Sequence, residues 1–316
     1  MAPLAFNSTI PIIDFAPFAT GNPVAQREIA DQISRACRGV GFFYVCNHGI
    51  PQALVNQVFE QMQALFALPL EKKSQLAWSD EVSNRGYVGI ERERLDPSQP
   101  GDLKEAFNLG KQEAASPSAL TMNRWPDDLE GFQPTLLTFW QACAEEMLRI
   151  LQAFAIALDL PKDFFTPLHD EYDNTLRLLH YPPIAQLPKP GQIRAGAHSD
   201  YGSLTLLFQD DIGGLEVQTV SGEWVAAVPI PGTLLVNLGD LMQRWTNDVF
   251  RSTPHRVRVP PTEKQGQHRY SIAYFCHPNP KSAIACLPSC HSEQHPPQYP
   301  SILAGDYLLS RLQATY

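Results

Sequence analysis

The sequence predicts an α+β protein in which an N-terminal α/β segment leads, through a long helix, into a C-terminal half built as a double-sheet jelly roll or a small barrel. Three observations carry this. Short β-branched and aromatic runs recur at intervals of roughly ten residues after residue 172. Turn chemistry, such as Gly213-Gly214 and Ser221-Gly222, separates them. Helical spacing of apolar residues is concentrated before Pro161.

Ile10-Pro11-Ile12-Ile13-Asp14-Phe15 is a short β-branched run whose Pro11 confines it to a strand start or a sheet edge. Ala25 to Arg38 places Ile29, Ile33 and Cys37 on one helical stripe that stops at Gly39 and Gly41. Phe42 to Cys46 is an aromatic strand. Pro51 to Leu68 repeats Leu54, Val58, Met62 and Leu65 and reads as a second helix with Pro in its first turn. From Asp80 to Asp128 periodicity is lost, so a long loop region with short elements is expected there, including the small-residue stretch EAASPSA. The series Leu136, Trp140, Cys143, Met147, Leu151, Phe154 and Leu158 then makes a long helix. Strands are expected at Leu176–Tyr181, Leu204–Phe208, Leu215–Gln218, Trp224–Val228, Thr233–Asn237, His255–Val259 and Tyr270–Cys276.

Composition narrows the function. The 24 Lys and Arg against 33 Asp and Glu give a net charge of -9. That balance, with no basic run, argues against nucleic acid and for a small-molecule substrate. No apolar stretch reaches the roughly 18 residues of a membrane helix, and the start lacks the basic and apolar regions of a signal peptide. A cytoplasmic protein with reduced thiols is the expectation for its six cysteines.

The chemistry concentrates in Ala197-His198-Ser199-Asp200-Tyr201-Gly202 and Thr253-Pro254-His255-Arg256-Val257. On a strand, residues i and i+2 share a face, so His198 and Asp200 can hold one ion while His255 closes the triangle from a neighbouring strand. Two imidazoles and one carboxylate with open positions are the ligand set of non-haem Fe(II) oxygenases. On the next run, Arg269 and Ser271 again stand at i and i+2, a guanidinium fork and a hydroxyl suited to holding a carboxylate end-on. The apolar neighbours of Arg269 imply burial, and a buried guanidinium needs an anion. Arg256 and Arg258 point opposite to His255 and are expected on the surface. His48, beside a Gly, is expected to be a structural hydrogen-bonder. His180 and the pair Asp210-Asp211 read as solvated strand or turn residues. Cys286, Cys290, His291 and His295 have an allowed zinc spacing, but the prolines among them argue for an irregular loop and against a zinc site.

These motifs, with Asn237-Leu238-Gly239-Asp240 and the N-terminal Val40-Gly41-Phe42-Phe43 and Asn47-His48-Gly49-Ile50-Pro51, resemble the 2-oxoglutarate and Fe(II)-dependent dioxygenases of the isopenicillin N synthase-like superfamily. The resemblance implies a double-stranded β-helix (jelly-roll) core with an N-terminal α/β segment and flanking helices. It implies an N-terminal region over 1–125 and a catalytic region over 126–316, with its core at about 172–280, packed as one unit. It makes His198, Asp200 and His255 the iron ligands and Arg269, Ser271 and Tyr181 the contacts to 2-oxoglutarate. Leu179 stands where many plant members carry an Asn that contacts the cosubstrate. The implied reaction oxidises a small molecule with O2, by hydroxylation, desaturation or cyclisation, and gives succinate and CO2. Three rivals stay open: an oxidase that does without 2-oxoglutarate, an ethylene-forming type, and a noncatalytic metal-binding module. The segments Asn84-Arg85-Gly86-Tyr87 and Asp102 to Phe107 are expected to wall the substrate pocket, with Tyr87 and Phe107 as pocket or core aromatics.

Overall fold

The computed structural model describes residues 10–77, 84–96, 98–112, 122–184 and 188–315. The chain's opening residues and the EAASPSA stretch lie outside them. In chain order the elements are β1 (Ile12–Asp14), α1 (Ala16–Ala19), α2 (Pro23–Arg38), β2 (Phe42–Cys46), α3 (Gln52–Ala67), α4 (Leu70–Gln75), β3 (Gly86–Val88), β4 (Glu105–Gly110) and α5 (Phe132–Ala157). There follow β5 (Thr175–Tyr181), β6 (Ala195–His198), β7 (Leu204–Gln209), β8 (Leu215–Gln218), β9 (Trp224–Ala226), β10 (Thr233–Leu238), α6 (Asp240–Trp245), β11 (His255–Val257), β12 (Arg269–Cys276), β13 (Ala283–Ile284), β14 (Ile302–Leu303) and α7 (Ala304–Thr315).

Eight strands form one sheet in the order β1-β2-β10-β7-β12-β5-β4-β3, and four form a second in the order β6-β11-β8-β9. The pleat explains why so many strands read as continuous apolar runs. In β12, Ile272, Tyr274 and Cys276 join the core under the helices, whereas Ala273 and Phe275 face the space between the sheets. In β2, Phe43 and Val45 go to the helices and Phe42 and Tyr44 to the inner space. The large sheet is therefore covered on both faces, by α2, α3 and α5 on one and by the small sheet on the other. The α2 stripe of Ile29, Ile33 and Cys37 packs against α5 as its spacing predicts. Asn22 caps α2, accepting from Val24 N at 2.9 Å and Ala25 N at 3.3 Å.

Several expectations need correction. The stretch from Asp80 to Asp128, read as a long loop region with short elements, has two of those elements as strands, β3 and β4, which extend the large sheet beyond β5. Their charges hid them: Glu105, Lys104 and Asp102 are buried and paired. His180 is buried, because the pleat that sends Leu179 and Tyr181 inward sends it toward the helices. There its Nδ1 lies 2.7 Å from Glu105 and its Nε2 2.8 Å from His268. Burial opposes ionisation of Glu105, yet His180, Lys73 and Tyr87 hold its pKa below the usual carboxylate value. Asp210 is half-buried, accepting from the backbone N–H groups of Tyr270 and Ile212, while Asp211 is exposed. His48 packs edge-on against Phe208, and its Nδ1 has no hydrogen bond among the described residues. The strand expected to run to Val259 ends at Val257, with two residues left before Pro260-Pro261.

Candidate active site

β6 stops at His198, so Asp200 reaches its position from the loop beyond and not from the strand that the i, i+2 reading assumed. His255 stands directly across from His198 in the β6–β11 pairing. The result is one cluster in which a ligand atom from each of His198, Asp200 and His255 lies within 4.8 Å of the other two. Each imidazole is fixed from behind. Nδ1 of His198 lies 2.7 Å from Gly196 O and Nδ1 of His255 lies 3.1 Å from Thr253 O. With Nδ1–H donating to those carbonyls, both Nε2 lone pairs face Asp200 Oδ1, at 4.0 Å and 3.7 Å. Phe42, from β2, meets the His255 ring edge-on at 5.5 Å.

The sequence reading missed two residues that hold the carboxylate. Thr205 Oγ1 donates to Asp200 Oδ2 at 2.5 Å, and Asn237 Nδ2 donates to the same oxygen at 2.6 Å. Both point inward by alternation along β7 and β10, and Asn237 stood in the motif quoted above without a role. Burial disfavours the charge of Asp200, but the two imidazoles and these two donors outweigh it and carry its pKa below the usual value. Burial and the neighbouring His255 push the pKa of His198 down, so it is neutral and able to ligate. Two hydrogen-bond donors on one oxygen of the carboxylate, with two imidazole lone pairs facing the other, fit a divalent metal.

The loop after Asp200 is clamped. Asp240 N donates to Asp200 O at 2.7 Å, and Leu241 N to Gly202 O at 3.2 Å. A Cβ on Gly239 would collide with the backbone of Gly202, which is why the Gly-Asp start of α6 and the Tyr-Gly after Asp200 belong together.

Arg269 is not on a strand beside His255. It lies in the large sheet while His255 lies in the small one, and the two face each other across the inner space. Its guanidinium is held in place by neutral acceptors: Gly213 O at 2.7 Å, Gln209 Oε1 at 3.0 Å and Ser271 Oγ at 3.3 Å. Register supplies the rest. Tyr181 is directly across β5 from Arg269, and Leu179 directly across from Ser271. The guanidinium carbon sits 4.6 Å from the Tyr181 ring centroid.

All six residues singled out by the sequence line one cavity of about 490 Å³ between the sheets. Its other end is walled by Asn84, Arg85, Glu93, Lys104, Asp173 and Arg177; the first four make the contribution expected from residues 80–128, and Tyr87 and Phe107 belong instead to the core under the helices. There Arg177 pairs with Glu93, Lys104 lies 3.3 Å from Glu93, and Lys104 also pairs with Asp102. From α7, Leu308 reaches the cavity and Arg311 lies 4.8 Å from the ring centroid of Tyr201. Arg256 and Arg258 face outward onto Glu216. The Cys286 to His295 segment is irregular apart from one 3-10 turn, Pro288–Cys290, and His295 Nε2 lies 3.1 Å from Asn247 O. Among the described residues, His198, Asp200 and His255 are the one cluster with metal-ligating geometry. No helix among them is long and apolar enough to cross a membrane.

Comparison with known proteins agrees with this geometry. Residues 172–278 match the 2OG-Fe(II) oxygenase superfamily, and residues 10–128 match the family described as non-haem dioxygenase in morphine synthesis N-terminal. A 2-oxoglutarate-Fe(II) type oxidoreductase, hxnY, from Emericella nidulans is 34% identical, covering 97% of this chain and 90% of its own. Proline hydroxylase buaE from Petromyces alliaceus is 35% identical, covering 96% and 98%. Among solved structures, a full-length Neurospora crassa protein in complex with alpha-KG is 39% identical, with a TM-score of 0.89 and full coverage of both chains. The same protein with alpha-KG and thymine gives a TM-score of 0.88, with 39% identity and 97% coverage of each chain.

Proposed function

The chain belongs to the 2OG-Fe(II) oxygenase superfamily, and from that premise we propose that His198, Asp200 and His255 hold the iron, that Arg269, Ser271 and Tyr181 hold the far carboxylate of 2-oxoglutarate, and that a compact neutral polar molecule occupies the end of the cavity beyond them. The protein is an oxidoreductase that uses Fe(II), 2-oxoglutarate and O2. The observation that carries the residue assignment is the single cavity in which a three-ligand cluster and a buried guanidinium with neutral partners face each other. When bound, iron and 2-oxoglutarate supply oxidation of a substrate C–H bond coupled to decarboxylation of the oxo acid to succinate and CO2.

The chain's own contribution is orientation and exclusion of water. Gly196 O and Thr253 O set the imidazole tautomers, and Thr205 and Asn237 turn Asp200 so that Oδ1 faces the imidazoles. The guanidinium of Arg269 presents a fixed cation to a carboxylate, with Ser271 Oγ beside it. Phe42, Leu207, Leu215 and Val257 line the space between the two ends with carbon, which keeps the reacting region dry.

The substrate class follows from the opposite end. Arg177, Glu93, Lys104 and Asp102 are already paired with one another, so that wall offers hydrogen bonds without a large excess of either charge. Thymine and 5-formyluracil, which accompany alpha-KG in the Neurospora crassa structures, are molecules of this kind and are the first to try. The test is succinate formation by Fe(II)-loaded protein across a panel of small polar rings. Substrate-dependent succinate supports the reading. Substrate oxidation by O2 without consumption of 2-oxoglutarate would sink it and transfer Arg269 to a substrate carboxylate.

A further inference from the structure

Two guanidiniums among the described residues are each only 1% exposed, and the site above accounts for one of them, Arg269. The other, Arg194, immediately precedes β6. Its Nη2 donates to Pro182 O and Gln267 O, both at a long 3.3 Å, and its Nε has no hydrogen-bonding partner among the described residues. Its guanidinium carbon lies 5.9 Å from the centroid of the same Tyr181 ring that Arg269 approaches at 4.6 Å. Two cations on one aromatic ring, deep in the protein, repel each other and are costly to bury unless an anion compensates. Among the described residues, the carboxylate whose charge reaches both is Asp210, which is already engaged by the N–H groups of Tyr270 and Ile212. Two guanidiniums against one carboxylate leave a single positive charge, which one further carboxylate would cancel.

We propose that Arg194 is a positioning residue for the far carboxylate of 2-oxoglutarate, acting through the Tyr181 ring and through the positive charge it shares with Arg269. This rests on the assignment of Arg269 to the cosubstrate. Burial and the repulsion of Arg269 lower the pKa of Arg194 to about 10, which leaves it charged at neutral pH. A charge at this remove acts on a carboxylate by attraction across a poorly screened interior, without contact, and so discriminates dicarboxylates from monocarboxylates. A purely structural Arg194 would only staple the Pro182 and Gln267 segments.

Calorimetric titration of the Mn(II)-loaded full-length protein separates the two, because it reads binding without turnover. The ligands are 2-oxoglutarate and 2-oxovalerate, which has the same carbon chain without the far carboxylate. Arg194→Gln is expected to weaken 2-oxoglutarate roughly tenfold and 2-oxovalerate less than about twofold. Arg194→Lys, which keeps the charge, is expected to stay within about threefold of the wild type for both. Equal affinity of Arg194→Gln and the wild type for 2-oxoglutarate, or equal losses for both acids, would overturn the proposal. If Arg194→Gln does not fold, Arg194→Lys decides: retained preference for the dicarboxylate supports a charge effect, and lost preference refutes it. A wild-type protein that binds no 2-oxoglutarate would instead refute the assignment of Arg269 itself.

Discussion

Asp200 makes two kinds of contact, one on each oxygen, and the consequences differ. Oδ1 faces the imidazoles, so Asp200→Ala, like His198→Ala and His255→Ala, is expected to abolish turnover while circular dichroism shows the fold retained. Oδ2 is taken by Thr205 and Asn237. Asn237→Ala should leave all three ligands in place and weaken metal affinity by about 10- to 100-fold, read by titrating Fe(II) into the metal-free protein. On the proposed assignment, removing the charged partner of the cosubstrate should have a larger effect than removing the neutral one. Arg269→Ala should raise the 2-oxoglutarate requirement at least about thirtyfold, since truncating a buried ion pair costs on the order of 2–5 kcal/mol. Tyr181→Phe, losing one neutral hydrogen bond of roughly 0.5–1.5 kcal/mol, should raise it less. Steady-state succinate assays against 2-oxoglutarate concentration check both. The proposed ligand set stood out in the sequence because metal chemistry demands particular residue types at short spacing, and the structure brings those three side chains into one cluster. Thr205 and Asn237 were not, because their roles come from strand register, which a sequence does not display.

Among the elements, α5 shows how a helix read correctly from its spacing can carry a group that spacing does not reveal. Glu146 falls within its apolar series, is 2% exposed, and accepts from Gly49 N at 3.1 Å and Arg149 Nη1 at 2.9 Å. Burial wins over Arg149 and raises its pKa to about 7. A carboxyl raised in the folded state binds a proton there that the unfolded chain has already lost. Its contribution to stability is thus fully present below the ordinary carboxylate range and disappears as pH climbs to about 7. Wild type relative to Glu146→Gln should therefore lose up to about 3 kcal/mol between about pH 4.5 and pH 8, measured by urea unfolding. The opposite error of reading befell β4, where Glu105 and the nearby Lys104 suggested solvent. The burial of Glu105 depends on partners far along the chain, Lys73 and His180, so no local pattern announces the strand.

For the molecule as a whole, both sheets converge on the cavity, so filling it must stabilise the entire fold. With Mn(II) present, 2-oxoglutarate at a hundred times its dissociation constant should add about 2.7 kcal/mol, a rise of a few degrees in Tm by calorimetry. An unchanged Tm would mean that the acid does not bind the native state. The double-sheet core was legible from the rhythm of short strands, and all seven strands expected there are present with small changes at their ends.

The large sheet, however, interleaves strands from both ends of the chain. β2 pairs with β10 through five residues, from Thr233 opposite Cys46 to Asn237 opposite Phe42. The residue that ends this pairing on one side supports Asp200, and its partner touches His255. An exchange of N-terminal segments between relatives, joined near residue 125, is therefore no neutral modular swap. A graft that shifts the β2 register by one residue turns Phe42 away from His255 and breaks the contacts behind the His198, Asp200 and His255 cluster. Recombination libraries of such enzymes should keep activity only where both sides of this seam come from one parent or match it in side-chain size, and the surviving crossovers should avoid separating Phe42 from Asn237.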